Sequence, residues 1–284
     1  MKPMIPIEQA KIFIDGTFSD PRLSHPEGLA FDKEGNLWCG GERGEIYKIN
    51  KSGTQIELVA NTGGFSLGMA FDSDGNLYVC DNKHQCVFKL NTQTGEYFRF
   101  ADGGPAGKMK VPNFPVIDEK RSCLYVSDSY SMDEEGPGIW KFNLQTGEGD
   151  LWYRAPLHFA NGMVFSKDRN TLYVAETFAR RISSIPILDT GEAGEKQIFA
   201  KIDALPDGLA MDVNEALYVS CYEPSQVYRI TKEGRVELLI HDPEAHTLCH
   251  PTNCAFRGTE LFTTNLGRWH ITRFEVGIQG AKLV

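Results

Sequence analysis

Glu27, Asn161 and Asp207 each stand directly before a glycine, in PEG, ANG and PDG, and each heads a short apolar run. Carboxylate and amide oxygens at the mouth of a buried segment are expensive unless something neutralises them. Brought to one place, the three would form an oxygen-rich set poor in sulfur and imidazole, which suits hard cations such as Ca2+, Mg2+ or Mn2+. An ion held there can polarise a carbonyl and lower the pKa of a bound water. Asp and Asn before Gly are also ordinary turn formers, so the weight rests on whether the three recur at one structural register.

They do, because the chain repeats. HPEGLAFDKEGNLWCGG is followed by FSLGMAFDSDGNLYVCD, VPNFPVIDEKRSCLYVSD, FANGMVFSKDRNTLYVAE, LPDGLAMDVNEALYVSC and HPTNCAFRGTELFTTN. The copies lie about 40 to 48 residues apart, a period expected of propellers and solenoids. Each opens with a short apolar strand, passes a polar turn and returns in a second strand such as LYVCD or LYVAE. An alternating third strand (EIYKIN, CVFKLN, GIWKFN, QVYRIT) and a fourth (QIELVA, EYFRFA, DLWYRA, VELLIH) complete the unit. Period-2 alternation between turn signals predicts strand throughout. Four strands repeated six times predict an all-β fold, a six-bladed β-propeller of four-stranded blades. After HITRFEV the sixth copy has only GIQGAKLV left, whereas AKIFIDG precedes the first. The N-terminal strand is therefore expected to join the last blade, closing the ring and removing an open edge. The expectation is one domain over residues 1–284.

In such a ring the first strand of every unit lines the central channel. The residues heading those strands, the axial positions, are Glu27, Leu67, Asn113, Asn161, Asp207 and Thr252. The residues ending the second strands, the return positions, are Gly41, Asp81, Asp128, Glu176, Cys221 and Asn265, at the same end of the channel. Two carboxylates and two amides thus converge on one axis, and a divalent ion shared by Glu27, Asn161 and Asp207 would compensate Glu27.

Other features narrow the classes. The net charge of −9 argues against a nucleic-acid surface, which needs a basic patch. No apolar run is long enough to span a bilayer, and MKPMIPIEQAK lacks the apolar core of a secretory signal, so no membrane partner and a cytoplasmic location are expected. The seven cysteines contain no CxxC and are expected to be buried reduced thiols. DSDGNLY has its glycine too early for an EF-hand loop, the histidines lack metal-ligand spacing, and no serine sits in a GxSxG elbow. The connection SDSYSMDEEGPG, residues 128–138, is the longest between a second and a third strand. Long connections in compact folds tend to be functional. It begins at the channel mouth and carries Asp128, Tyr130 and Met132, which makes it a candidate wall or lid over a ligand. Asp128 could equally be the cap of that connection. Tyr222, His250 and Arg268 are further candidates for the mouth, each with a plain structural or surface role as the alternative.

The motifs PEG, PNF, ANG and PDG, each leading a propeller inner strand, resemble the senescence marker protein/gluconolactonase/luciferin-regenerating enzyme family, and the resemblance covers all six units. NGMVFSKDRNTLYVAETFARRI is also similar to the related strictosidine-synthase-like propellers. The resemblance implies a central divalent metal, usually calcium with magnesium, manganese or zinc tolerated, held by Glu27, Asn161 and Asp207. It places Asn113 where relatives orient substrate or complete the metal shell. It implies hydrolysis of a lactone or related ester, with Asp207 taking a proton from water and Asp128 in reserve as base; Asn113, Asp128 and Tyr130 are the substrate-binding candidates. Relatives acting on sugar lactones often carry Arg two residues before that third-blade Asn. Here the residue is Val111, which leaves a smaller or more apolar ring open. A phosphotriester hydrolase, and a non-catalytic binding propeller with a structural metal, are the alternatives.

Overall fold

A computed structural model describes residues 1–281; the last three residues of the expected domain lie outside the described residues. Segments that alternate apolar and polar residues can hide one face only by pairing as strands, and strand is what forms. Six four-stranded antiparallel sheets are arranged as blades around a channel. Their inner strands are Leu29–Phe31, Ser66–Phe71, Pro112–Asp118, Ala160–Phe165, Pro206–Met211 and Pro251–Arg257. Each packs against the inner strand of the next blade, and the sixth packs against the first. Lys11–Asp15 pairs with His270–Glu275 as the outer strand of the sixth blade, as the sequence led us to expect. Among the described residues, no helix is long and apolar enough to cross a membrane.

The blades adhere through their faces. In four blades the aromatic residue of the second strand is driven between sheets: Trp38, Tyr78, Tyr125 and Tyr218 are at most 1% exposed. Phe71, Phe100, Phe165 and Phe256 meet them edge-on, a favourable arrangement of ring quadrupoles. Lys48, Lys89 and Lys141 of the third strands lie over three of these rings, at 5.4, 5.0 and 5.6 Å. One repeated side-chain plan therefore holds successive blades.

The glycines that follow the axial residues serve the ring rather than turns. Gly28 and Gly162 do not have positive φ. A Cβ on Gly28 would lie 2.1 Å from the Leu67 carbonyl oxygen, and one on Gly162 2.3 Å from that of Asp207. They are glycines because the neighbouring backbone is too close for any side chain. The turn explanation of PEG and ANG does not apply.

Closure depends on Phe13, which is buried and meets Phe262 edge-on at 5.1 Å. Phe13→Ala should cost about 3 kcal/mol, read as a lower urea midpoint at unchanged m-value. A loss below ~0.5 kcal/mol, the size of an ordinary surface change, would mean the N-terminal strand does not hold the ring shut.

Candidate metal centre

The axial residues leave the strand ladder at a recurrent irregularity. Register breaks between Ser66 and Met69, Pro112 and Pro115, Ala160 and Met163, Pro206 and Leu209, and Pro251 and Cys254. Each break spans the axial residue and its successor, a bulge that re-aims a side chain. In the first blade Glu27 lies just ahead of the inner strand, with its N–H on the Gly40 carbonyl at 3.4 Å. A bulge frees backbone N–H groups that must find other acceptors. Hydroxyls of the facing strand supply them: Phe114 N–H donates to Ser127 Oγ at 3.0 Å, Gly208 N–H to Ser220 Oγ at 3.2 Å and Asn253 N–H to Thr264 Oγ1 at 3.1 Å. All six axial side chains end up at most 6% exposed.

A second set of hydroxyl bonds joins four of the blades to the next. Ser129 Oγ donates to the Ala160 carbonyl and Thr177 Oγ1 to that of Pro206, both at 2.8 Å. Ser220 Oγ donates to the Thr252 carbonyl and Thr264 Oγ1 to that of Glu27. Since Ser129 and Thr177 have given their protons to carbonyls, each can only accept from the axial amide above it. Asn113 Nδ2 donates to Ser129 Oγ at 3.0 Å and Asn161 Nδ2 to Thr177 Oγ1 at 3.2 Å. The amide orientation follows from this network. With both nitrogens committed, Asn113 Oδ1 and Asn161 Oδ1 are buried without any donor, as is Asp207 Oδ1.

Electrostatics sharpen the picture. Glu27 and Asp207 are buried close enough to repel one another, and among the described residues neither has an ion-pair partner. Burial, and then repulsion from Asp207, raise the Glu27 carboxyl well above its usual range. Burial pushes Asp207 up to about 7, with the amide of Asn161 beside it pulling the other way. Glu176 is also fully buried at the side chain, but it is treated differently. Burial would raise it too, yet Arg181 at 2.7 Å, Ser183, the His158 N–H and Lys196 hold it down at about 2. Cations thus neutralise Glu176, whereas among the described residues none pairs with the axial acids.

One member of the ring was missed in the sequence. Asn253 follows the axial Thr252, where four other blades have Gly. It is 1% exposed and donates through Nδ2 to Glu27 Oε2 at 3.1 Å, which leaves its own Oδ1 with no donor. The signal was there in HPTNCAF, one residue past the register that the other copies indicated. Orphan oxygens of Asn113, Asn161, Asp207 and Asn253, beside two unpaired carboxylates, are acceptors awaiting a positive partner. Among the described residues no three His, Cys, Asp or Glu side chains converge to hold a metal. The set is instead two acids with amides, and that chemistry fits a hard divalent ion.

The return positions have another task. Asp128 accepts from Lys110 N, Val111 N, Tyr130 N and Trp140 Nε1, at 2.8 to 3.2 Å. Its lone pairs are consumed in capping the loops, so the bonding supports the cap rather than a base or substrate ligand. Asp81 likewise accepts from Phe65 N, Glu176 from His158 N, and Asn265 Oδ1 from Cys249 N. Tyr130, with φ of 62°, stacks under Lys110 Nζ at 3.5 Å and stands on the 128–138 connection apart from the axial ring. His250 packs on Tyr222 at 4.8 Å. The seven cysteines are free thiols, six of them buried.

Known proteins share this architecture. The SMP-30/gluconolactonase/LRE-like profile matches residues 67–265. A lactonase drp35 of Staphylococcus saprophyticus is 28% identical over 234 residues, covering 73% of this chain and 67% of its own. Regucalcin of Agrobacterium tumefaciens, described as a calcium-binding protein, superposes with a TM-score of 0.77 at 19% identity, over 99% of this chain and 97% of that one. A gluconolactonase of Xanthomonas campestris gives 0.74 at 19%, over 90% and 86%. At these identities the structural matches establish the fold.

A carboxyl whose folded-state pKa is raised gives up stability as pH climbs from its unfolded value through the folded one. For chelator-treated protein, Asp207→Asn should raise the melting temperature by several degrees near pH 8 and by much less near pH 5. An equal effect at both would show that Asp207 carries no buried charge. Removing the hydroxyl in Thr177→Val should weaken Ca2+ binding about 10-fold, as loss of a supporting partner does, whereas Thr177→Ser should retain it. Equal calorimetric affinities for the two variants would show that the hydroxyl does not orient Asn161.

Proposed function

We propose, from the premise that this chain belongs to the SMP-30/gluconolactonase/LRE-like family, that it is a lactonase whose Glu27, Asn161 and Asp207 hold one divalent cation, Ca2+ foremost. The observation carrying this reading is the pair of buried carboxylates, Glu27 and Asp207, within range of mutual repulsion, without a cationic side chain among the described residues and set among amide oxygens that have no donor. The lactonase name of the staphylococcal relative supports the reaction class.

Lactone hydrolysis adds water to a cyclic ester carbonyl, passes through a tetrahedral oxyanion and breaks the ring C–O bond to give a hydroxy acid. The axial amides turn their nitrogens to Ser129, Thr177 and Glu27 and leave donor-less oxygens at the axis, which cannot stabilise an oxyanion. A divalent ion held by Glu27, Asn161 and Asp207 would supply the missing positive charge at the carbonyl oxygen and acidify water. Asp207 takes the proton of the attacking water, since it is a carboxylate on the axis where that water would bind. The proton then goes to the departing ring oxygen. Asn113 presents Oδ1 to a hydroxyl or to the ion, and Asn253 keeps Glu27 from turning. Tyr130 forms part of the wall above, held by Lys110.

The test is proton release from a panel of lactones by the full-length protein, with and without EDTA. Turnover should vanish with EDTA and return with a divalent ion. Glu27→Gln, near-isosteric and free of the buried charge, should lower kcat/KM by about 100-fold or more while the fold persists. Turnover indifferent to both EDTA and Glu27→Gln would remove the metal from the reaction, and a panel with no turnover at all would remove the lactonase.

A further inference from the structure

Above the buried axial ring lies a second ring, two residues earlier in every blade: His25, Phe65, Val111, Phe159, Leu205 and His250. The equivalence is structural. In five blades the carbonyl of this residue accepts the N–H one residue beyond the return position, from Asn82, Ser129, Thr177, Tyr222 and Leu266 in turn. All six are half-buried, while the axial residues beneath them are closed off from solvent. They therefore form the collar through which anything must pass to reach the axial oxygens.

The collar is built rather than incidental. His25, Phe159 and His250 sit at φ of 32°, 60° and 50°, a left-handed backbone that side chains adopt at a cost and that tends to occur at functional sites. The return-position side chains clamp it, with Asp81 on the N–H of Phe65 and Asp128 on that of Val111; Glu176 and Asn265 hold the residues just before Phe159 and His250. Aromatic rings back it from outside: Phe178 against Phe159 at 4.8 Å and Trp269 edge-on to His25 at 5.4 Å.

Its polarity is divided. Blades two to five present Phe65, Val111, Phe159 and Leu205, an unbroken apolar arc. Blades six and one, which are neighbours, present the two imidazoles. His25 Nδ1 donates to the Leu266 carbonyl at 2.8 Å, and His250 Nδ1 faces both the Tyr222 carbonyl and Glu223 Oε2 at 3.0 Å, which in the neutral rings leaves each Nε2 as an acceptor. Concave sites of mostly apolar lining with a few oriented polar groups bind molecules of matching polarity. A polyhydroxylated ring would leave hydroxyls unpaired along four of the six blades, at the cost of burying unsatisfied polar groups.

We infer that the collar selects lactones bearing an apolar substituent, with the alkyl arm on the Phe65–Leu205 arc and any single hydroxyl turned toward His25 and His250. This assignment of substrate class rests on the lactonase reading, and the experiment separates the two. Full-length protein loaded with Ca2+ is assayed with a hexyl-substituted δ-lactone and with glucono-δ-lactone. Binding of the two corresponding hydrolysis-resistant lactams is measured by calorimetry. The hexyl lactone should be favoured in kcat/KM by about 10-fold or more, and its lactam should bind tighter by a similar factor. Leu205→Gln and Phe65→Gln should each reduce the preference about 10-fold without changing Ca2+ affinity. Hydrolysis of both lactones with no preference, or with the sugar lactone favoured, overturns the collar and leaves the lactonase standing. Tighter binding of the hexyl lactam with neither lactone hydrolysed does the reverse. Failure of both lactams to bind, or Gln variants that leave the preference intact, overturns the collar.

Discussion

Two carboxyl groups buried at one axis, near enough for one to repel the other and with no cation of the described residues paired to them, are the constraint to which the rest of this structure answers. Removing one ionised carboxylate from water is expensive, and placing a second beside it adds repulsion on top of desolvation. Glu27 bears both penalties and Asp207 the first. The chain contains the means to relieve them, since Arg181 and Lys196 do so for Glu176. Among the described residues no such side chain pairs with Glu27 or Asp207, which leaves the site open to a positive partner from outside the chain. The same pair would otherwise be a pure liability to folding.

Holding such a pair in place requires a rigid scaffold, and the repeated blade provides one by modest means. A bulge at each inner strand turns the axial side chain out of the ladder. Serine and threonine hydroxyls then perform two tasks. Some pair the N–H groups that the bulge exposes; others hand a proton across to the carbonyl of the next blade. Because a hydroxyl has one proton, its donation to a carbonyl determines which way the amide above it must face. Inter-blade adhesion and the aiming of Asn113 and Asn161 oxygens are thus one network. Gly28 and Gly162 contribute by letting neighbouring backbones approach to distances that no Cβ would tolerate.

The division of labour between the two ends of each inner hairpin is equally physical. Axial side chains are left short of partners, whereas the acids at the return positions are saturated with donors. Asp128 illustrates the difference: four N–H groups converge on it, so it shapes the mouth without competing for what enters. Polar groups with spare acceptor capacity concentrate on the axis, and those whose capacity is used up frame it.

The sequence by itself determined the repeat, the strand pattern, the six-fold ring and the closing role of AKIFIDG, because periodicity of apolar residues is a local property that pairing must respect. It also marked Glu27, Asn161 and Asp207 as residues of one register. It could not say whether the glycines beside them served turns or close approach, since that depends on backbone from another blade. Asn253 escaped notice because the bulge shifts which residue of HPTNCAF reaches Glu27, and a shift of one residue is invisible without the partner strand. Asp128 looked like a channel group for the same reason: the four donors that saturate it come from residues 12 to 18 positions away and from the loop just after it. Which oxygens are satisfied and which are orphaned is decided by neighbours in space, and only the assembled ring supplies those neighbours.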